Sequence, residues 1–310
     1  MKARRKLFSF SMTAITLACG CALLADANAQ APVVGGNGKL LLTGGVSTID
    51  GAAGGGLTPW AVTGTYASNG QLGLSAFGTR VRTSDYALSG YGAALSYGDR
   101  VEFSVAAQDF DTGPTGRALG LPGLRLKQNI VGAKVRVAGD AILDSDSFMP
   151  QIAVGVLYKD LDAGGFAPTV KALGAEDTGT DIYISATKLF LAQSFLVNLS
   201  LRATKANQNG LLGFGGTASD SYEVMPELSL AYLISRKIAI GAEYRAKPDN
   251  LNPSILGNGL KEDDWSDVFL AWAPTKNVSL TLAYVDLGKI VPAVVQKRQT
   301  GAYLSAQLAF

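Results

Sequence analysis

Along most of this chain, apolar and polar residues alternate one for one. In Gly301–Phe310, Ala302, Leu304, Ala306, Leu308 and Phe310 share one face, and Tyr303, Ser305, Gln307 and Ala309 the other. Such alternation marks a strand whose two faces meet different media. Phe195, Val197, Leu199 and Leu201 alternate with Asn198, Ser200 and Arg202. Val224, Leu228, Leu230 and Tyr232 alternate with Glu223, Glu227 and Ser229. Ile238, Ile240 and Tyr244 alternate with Gly241, Glu243 and Arg245. One face is oily, the other polar and often charged. The pattern predicts strands at 39–47, 57–67, 71–82, 86–97, 100–109, 127–137, 150–159, 180–190, 194–204, 222–233, 237–246, 265–273, 277–286 and 300–310. Most exceed the roughly 5–6 residues of an ordinary strand and match the roughly 9–11 of a tilted membrane strand.

The connections carry the same message. Tight turns at Ser68-Asn69-Gly70, Gly98-Asp99, Leu191-Ala192-Gln193, Ile234-Ser235-Arg236 and Pro274-Thr275-Lys276 alternate with long links at 110–126, 160–179, 205–221, 247–264 and 287–299. Outer-membrane barrels have short periplasmic turns and longer external loops. Two links fit less well: 138–149 is long for a turn, and 83–85 is short for an external loop. A barrel of about fourteen strands is too wide for inward side chains alone to fill. The oily face therefore belongs outside, against lipid. The predicted fold is all-β: a transmembrane antiparallel up-and-down β-barrel of about fourteen strands, or about twelve if 39–67 packs elsewhere. Aromatic girdles are expected at both rims. Trp60, Tyr158, Tyr183, Tyr222, Tyr244, Trp265 and Tyr284 fall near the external rim, and Tyr66, Tyr97, Tyr232 and Trp272 near the periplasmic one.

The front of the chain reads differently. Lys2, Arg4, Arg5 and Lys6 precede the mostly apolar Leu7–Leu24, and Ala27-Asn28-Ala29 offers a cleavage site before Gln30. This predicts a secretory signal peptide over 1–29, with the barrel over 30–310. Ser9, Ser11, Gly20 and the small-residue tail weigh against an uncleaved anchor helix, and Thr16-Leu17-Ala18-Cys19 is a poor lipobox. Both cysteines, Cys19 and Cys21, lie in this leader. The mature chain would then have no disulfide framework and no thiolate metal site.

Composition narrows the function. Charged residues are 17% and glycines number 37, which suits lipid-facing strands and turns with unusual dihedrals. The net charge of +2 turns slightly negative once the basic leader is removed, so no nucleic-acid surface is indicated. The chain has no histidine. Serine or water activation in outer-membrane hydrolases generally leans on a histidine base, so the usual nucleophile–base pairs cannot be built. Paired lumen carboxylates such as Glu223 and Glu227, or Glu243, are better read as partners of Arg202 and Arg245 than as glycosidase acids. No catalytic, cofactor-binding or metal-binding residue is predicted.

Charges at membrane depth must face water or a partner. Those predicted to line the lumen are Glu102, Lys134, Arg136, Arg202, Glu223, Glu227, Glu243, Arg245 and Asp267. They would either bias passing solutes or cross-link the wall. The Gly- and Ala-rich segment 44–56 is no phosphate-binding loop and reads as a flexible loop or a piece folded into the lumen. Leu211-Leu212-Gly213-Phe214-Gly215-Gly216 is an apolar stretch within an external loop, suited to a lipid, a hydrophobic solute or the barrel mouth. Lys261-Glu262-Asp263-Asp264 with Asp267 reads as a solvated loop end, or as a cation site shared with lipopolysaccharide phosphates.

Several longer stretches carry a family likeness: KLLLTGGVSTIDGAAGGGLTPWA (39–61), ATKLFLAQSFLVN (186–198), LRATKANQNGLLGFGG (201–216), GAEYRAKPDNLN (241–252), KEDDWSDVF (261–269) and LTLAYVDLG (280–288). These resemble DUF3034, a proteobacterial family of unknown function, over essentially the whole mature chain. The resemblance implies secretion and an outer-membrane barrel in a Gram-negative bacterium. It supplies no activity, substrate or catalytic residue. The expected function is passage of small or hydrophobic solutes through a porin-like channel or transporter. The alternative is a structural or adhesive barrel with a plugged lumen. Expected partners are outer-membrane lipid and lipopolysaccharide, together with the barrel-assembly machinery, engaged through Phe310.

Overall fold

A computed structural model describes residues 33–34, 42, 45–68, 70–139, 149–254 and 256–310. The predicted leader 1–29 and most of the link 138–149 lie outside the described residues. Twelve strands form the wall: β1 Gln71–Thr83, β2 Ala87–Tyr97, β3 Val101–Asp111, β4 Arg125–Ala138, β5 Gln151–Asp162, β6 Thr178–Phe190, β7 Phe195–Thr204, β8 Glu223–Ser235, β9 Ile238–Arg245, β10 Trp265–Trp272, β11 Val278–Asp286 and β12 Thr300–Ala309. Each pairs antiparallel with the next, and β12 pairs antiparallel with β1, from Gly301 opposite Thr83 to Ala309 opposite Ser75. The sheet is thereby closed and has no free edge, so every backbone polar group of the wall has a strand partner available on either side.

The count is twelve, not fourteen. Residues 57–67 do not join the wall, and the described part of 39–47 does not either. The strands predicted there rest on apolar content, Val46 in the first and Leu57, Trp60 and Val62 in the second, rather than on a two-faced pattern. Those apolar residues instead belong to a segment buried on all sides. Residues 46–65 are buried throughout. Val46–Ser47 pairs with Ala53–Gly54 in a short hairpin, and the chain then crosses back to β1. A twelve-stranded cylinder leaves an interior wider than its own side chains can fill; the segment from Gly45 to Ala67 fills it and is called the plug below.

The wall presents oil outward. Leu74, Val105, Val156, Ile184, Leu228, Leu270, Leu282 and Leu304 all point away from the lumen and are exposed. Tyr158, Tyr222, Tyr244 and Tyr284 stand outward toward the long-loop end, while Tyr97, Tyr232 and Trp272 stand outward toward the other. These are two girdles of the kind a lipid headgroup layer favours. Three aromatics expected in the outer girdle point inward instead: Trp60 belongs to the plug, and Tyr183 and Trp265 lie on the lumen face, buried. Among the described residues no helix is long and apolar enough to cross a membrane; the apolar band is carried entirely by strands.

The inner face is mixed rather than purely polar. Ile49, Leu57, Trp60 and Val62 of the plug pack with Val81, Leu189, Phe269 and Tyr303 of the wall. Ala52 packs with Phe77, Ala106, Ile130, Leu157 and Tyr183. All connections after β1, β3, β5, β7, β9 and β11 leave from one end of the barrel, here called the loop end. The five longer ones fold over that mouth, two of them carrying short helices, α1 Gly113–Ala118 and α2 Ala167–Ala172. The opposite, turn end has the tight connections, and both ends of the plug lie there. Leu42 lines a small cavity there together with Leu196 and Leu233, and Ser68 is tied to the start of β1 through Gln71.

Candidate functional site

The plug is bound to the wall chiefly by backbone groups meeting buried side chains. The Glu102 carboxylate accepts the N–H of Ala53 (2.9 Å) and of Gly64 (2.7 Å). Lys134, paired with Glu102 at 2.9 Å, donates to the carbonyls of Ala53 and Trp60. Glu243 accepts the N–H of Leu57 (2.8 Å) and the Thr58 hydroxyl (2.6 Å). The Pro59 carbonyl accepts from Ser185, Ser200 and Asn198. Gly55 lets the Glu243 carboxylate come close, since a Cβ there would stand 2.2 Å from it. Wall carboxylates thus take the donors that a short irregular segment cannot satisfy within itself.

At the apex of the plug Asp50 completes a closed ring of six charges. Its carboxylate meets Arg245 at 3.0 Å and Lys159 at 3.4 Å. Lys159 also pairs with Asp181 (3.0 Å), Asp181 with Arg202 (3.6 Å), Arg202 with Glu227 (2.9 Å) and Glu227 with Arg245 (2.9 Å). The five wall members come one each from β5, β6, β7, β8 and β9. All six side chains are almost wholly shielded from solvent. Alternating signs around a ring let every buried charge have two opposite neighbours, which is the condition for such charges to be tolerated. Without Asp50 the wall holds three cations against two carboxylates.

The external link between β7 and β8 reaches into the mouth to meet this ring. Gln208 and Asn209 adopt left-handed backbone conformations (φ 45° and 61°) that turn the chain inward. Asn209 donates to Asp50 (2.7 Å) and accepts from Lys159 (2.8 Å) and Arg245 (3.1 Å). Gly210 follows at φ 97°, where a Cβ would strike the Gln128 amide at 2.3 Å. Gln208 accepts from Lys247 and its N–H bonds Glu262. Lys247 and Glu262 pair at 2.8 Å under the loops. Burial pushes the Glu262 carboxyl up and the Lys247 ammonium down from their ordinary values.

Above the ring lies a narrow apolar pocket that opens toward the mouth. Tyr86, Phe110, Leu126, Phe166, Leu212 and Trp265 are among its walls, and Gln208 is the chief polar group lining it. Tyr86 and Phe110 stack there at 5.7 Å.

Of the charges read from the sequence, Arg202, Glu227 and Arg245 enter the ring, while Glu102, Lys134 and Glu243 hold the plug. Asp267, opposite Glu243 in the β9–β10 register, is buried beside it. Arg136 lies at the turn end, 4.0 Å from Asp99. Glu223 is half-buried at the loop end of β8. Asp50, Lys159, Asp181 and Asn209 went unrecognised. Lys159 and Asp181 fall close to predicted strand ends, where charge is ordinary. Asp50 lies in a segment whose glycines masked its importance. In the acidic run 261–264, Lys261 and Asp264 are exposed as a solvated loop end would be, Asp264 taking the Tyr244 hydroxyl, and Asp263 lies near Arg298, but Glu262 is buried against Lys247. Among the described residues no cluster of metal-ligating side chains is present.

Comparison with known proteins adds the following. Solved structures with a similar chain path include the KdgM porin in complex with disordered oligogalacturonate (11% identity, 76% of this chain and 99% of that one, TM-score 0.48). The NanC porin matches at 10% identity over 76% and 98% (TM-score 0.48). The Pseudomonas putida toluene transporter TodX matches at 10% over 90% and 98% (TM-score 0.43). No curated relative matches the sequence. A profile of the family described as "Protein of unknown function (DUF3034)" matches residues 43–307, from the plug to the last strand. The chain belongs to the DUF3034 family.

Proposed function

We propose that this protein is a gated outer-membrane carrier for small apolar or amphipathic solutes, described here with its gate shut. The loop end faces outward, the apolar pocket is the entry site, and the plug is the gate. The observation that carries this reading is the pocket itself. An open, almost wholly apolar cavity at the mouth of a membrane barrel collects solutes that water rejects. A constitutive porin would instead need a wet lumen, and residues 46–65 occupy that space. In this reading the buried charges hold a closed gate; they do not line an open path. The lack of histidine favours transport over hydrolysis. Outer-membrane lipid, lipopolysaccharide and the assembly machinery, reached through the outward-facing Phe310, are the partners proposed with this function.

The test is binding of 1-octanol to the refolded barrel in lipid nanodiscs, corrected for empty discs, beside Leu212→Asp. Saturable binding by the parent, weakened about tenfold or more in a variant that still folds, supports the pocket. Binding that is absent, or equal in both, rejects it.

The filled lumen also favours a second reading, a structural or adhesive barrel that transports nothing. Deleting residues 205–221 separates the two. New conductance in planar bilayers marks a gated path, whereas a folded barrel that stays silent and loses surface attachment marks the adhesive role.

A further inference from the structure

The Asp50 carboxylate is bound as a ligand would be. It lies at the plug apex and is held by three wall and loop groups that are buried with it: the Arg245 guanidinium at 3.0 Å, the Lys159 ammonium at 3.4 Å and the Asn209 amide at 2.7 Å. All three groups belong to elements other than the plug. Two are fixed independently, Arg245 by Glu227 and Lys159 by Asp181. The seat is therefore a preorganised carboxylate site with one positive charge in excess when the plug leaves it.

The seat adjoins the apolar pocket. Gln208 lines the pocket and Asn209, the next residue, lines the seat. Trp265 lines the pocket and stands opposite Arg245 across the β9–β10 ladder. Between the two, Gln128 points inward one inward position below Leu126 of the pocket wall. It is fully buried, and its amide has no hydrogen-bond partner among the described residues. A buried amide so placed is suited to a polar group passing from pocket to seat.

We propose that the Asp50 seat is a binding site for the carboxylate of a small amphipathic acid, whose apolar tail lies in the mouth pocket, and that Asp50 occupies this site while the gate is shut. The inference rests on the carrier reading for the tail but not for the seat. An incoming carboxylate and Asp50 compete for the same three donors, so occupation by one favours release of the other. No bond is made or broken, and the acid need only arrive ionised.

The full-length barrel with Asp50→Ala vacates the seat and leaves Arg245, Lys159 and Asn209 in place. Acetate should restore its thermal unfolding temperature toward that of the parent, while isosteric neutral acetamide and chloride at equal ionic strength should not, and acetate should leave the parent unchanged. Equal effects of acetate, acetamide and chloride on the variant would overturn the seat. If Asp50→Ala does not refold in plain buffer, refolding yield becomes the readout: recovery with acetate alone supports the seat, and no recovery overturns it. Octanoate and 1-octanol then test the tail. Octanoate should bind the variant about tenfold or more tightly than it binds the parent, with 1-octanol equal in both. Unchanged octanoate beside intact 1-octanol binding refutes a joined site. Loss of 1-octanol binding in the parent refutes the carrier reading and leaves the acetate result standing.

Discussion

Asp50 and Arg245 lie 195 positions apart in sequence, and their charged groups meet at 3.0 Å inside the barrel, toward its loop end. The contact joins the plug to the wall where neither group has water to fall back on. Breaking a buried pair from one side costs about 3–5 kcal/mol, because the partner is left charged and unsolvated. Asp50→Ala should therefore lower stability by about that amount in urea unfolding from lipid vesicles. It should also produce openings in planar bilayers with a preference for anions, read as a shifted reversal potential in a salt gradient. An unchanged unfolding midpoint would show that the ring does not hold the plug.

Thr58 of the plug and Ser229 of β8 bring their hydroxyl oxygens to 2.5 Å, with both side chains short and buried. That closeness suits a disulfide, and the mature chain is expected to carry no competing thiol. Thr58→Cys with Ser229→Cys should oxidise to a bridged form that does not move solute. Reduction should restore transport to the parental rate, measured as solute-dependent swelling of liposomes. Full transport by the bridged form would mean that the plug does not have to leave β8.

A Cβ at Gly55 would lie 2.2 Å from a Glu243 oxygen, so a side chain there must push that carboxylate off its bonds to Leu57 and Thr58. Gly55→Ala should destabilise the docked plug by about 1–3 kcal/mol, the usual range for overpacking. The expected signs are faster proteolysis within 45–67 and more frequent channel openings, with the wall still folded. Protease resistance equal to the parent would contradict the close approach.

Leu282 on β11 is 56% exposed on the outer face. Leu282→Arg should cost about 2–4 kcal/mol if that face meets the middle of a bilayer, measured by reversible unfolding from vesicles. On a face that meets water, the same change would shift stability by no more than about 0.5 kcal/mol.

The wall was legible in the sequence because its cause is local. Alternation in stretches such as Leu199–Arg202 or Leu280–Tyr284 needs only two media, one on each side of the sheet. The turn-and-loop rhythm then set the strand order. The plug was not legible in the same way. Val46 to Ala67 is apolar enough to read as strand, but its donors are taken by Glu102, Glu243 and Thr187, three residues from distant strands. Nothing within the segment distinguishes a ladder partner from a carboxylate partner. The ring was half visible: Arg202, Glu227 and Arg245 stand out as charges inside apolar strands. Asp50 and Asn209 lie in irregular segments, where a polar residue is the default and carries no signal. Closure of the ring depends on two inward folds that no periodicity encodes.

The plug leaves the cylinder at both of its ends through the same opening, near Leu42 and near Ser68, while its apex points the other way. Both of its tethers therefore pull toward the turn end. Tension applied from the turn end would reach the hairpin contacts first and Asp50 last, so unplugging has a built-in order. In the proposed carrier, a solute lodged above the apex would follow the plug toward the turn end, so the order of unplugging would itself set a direction of passage.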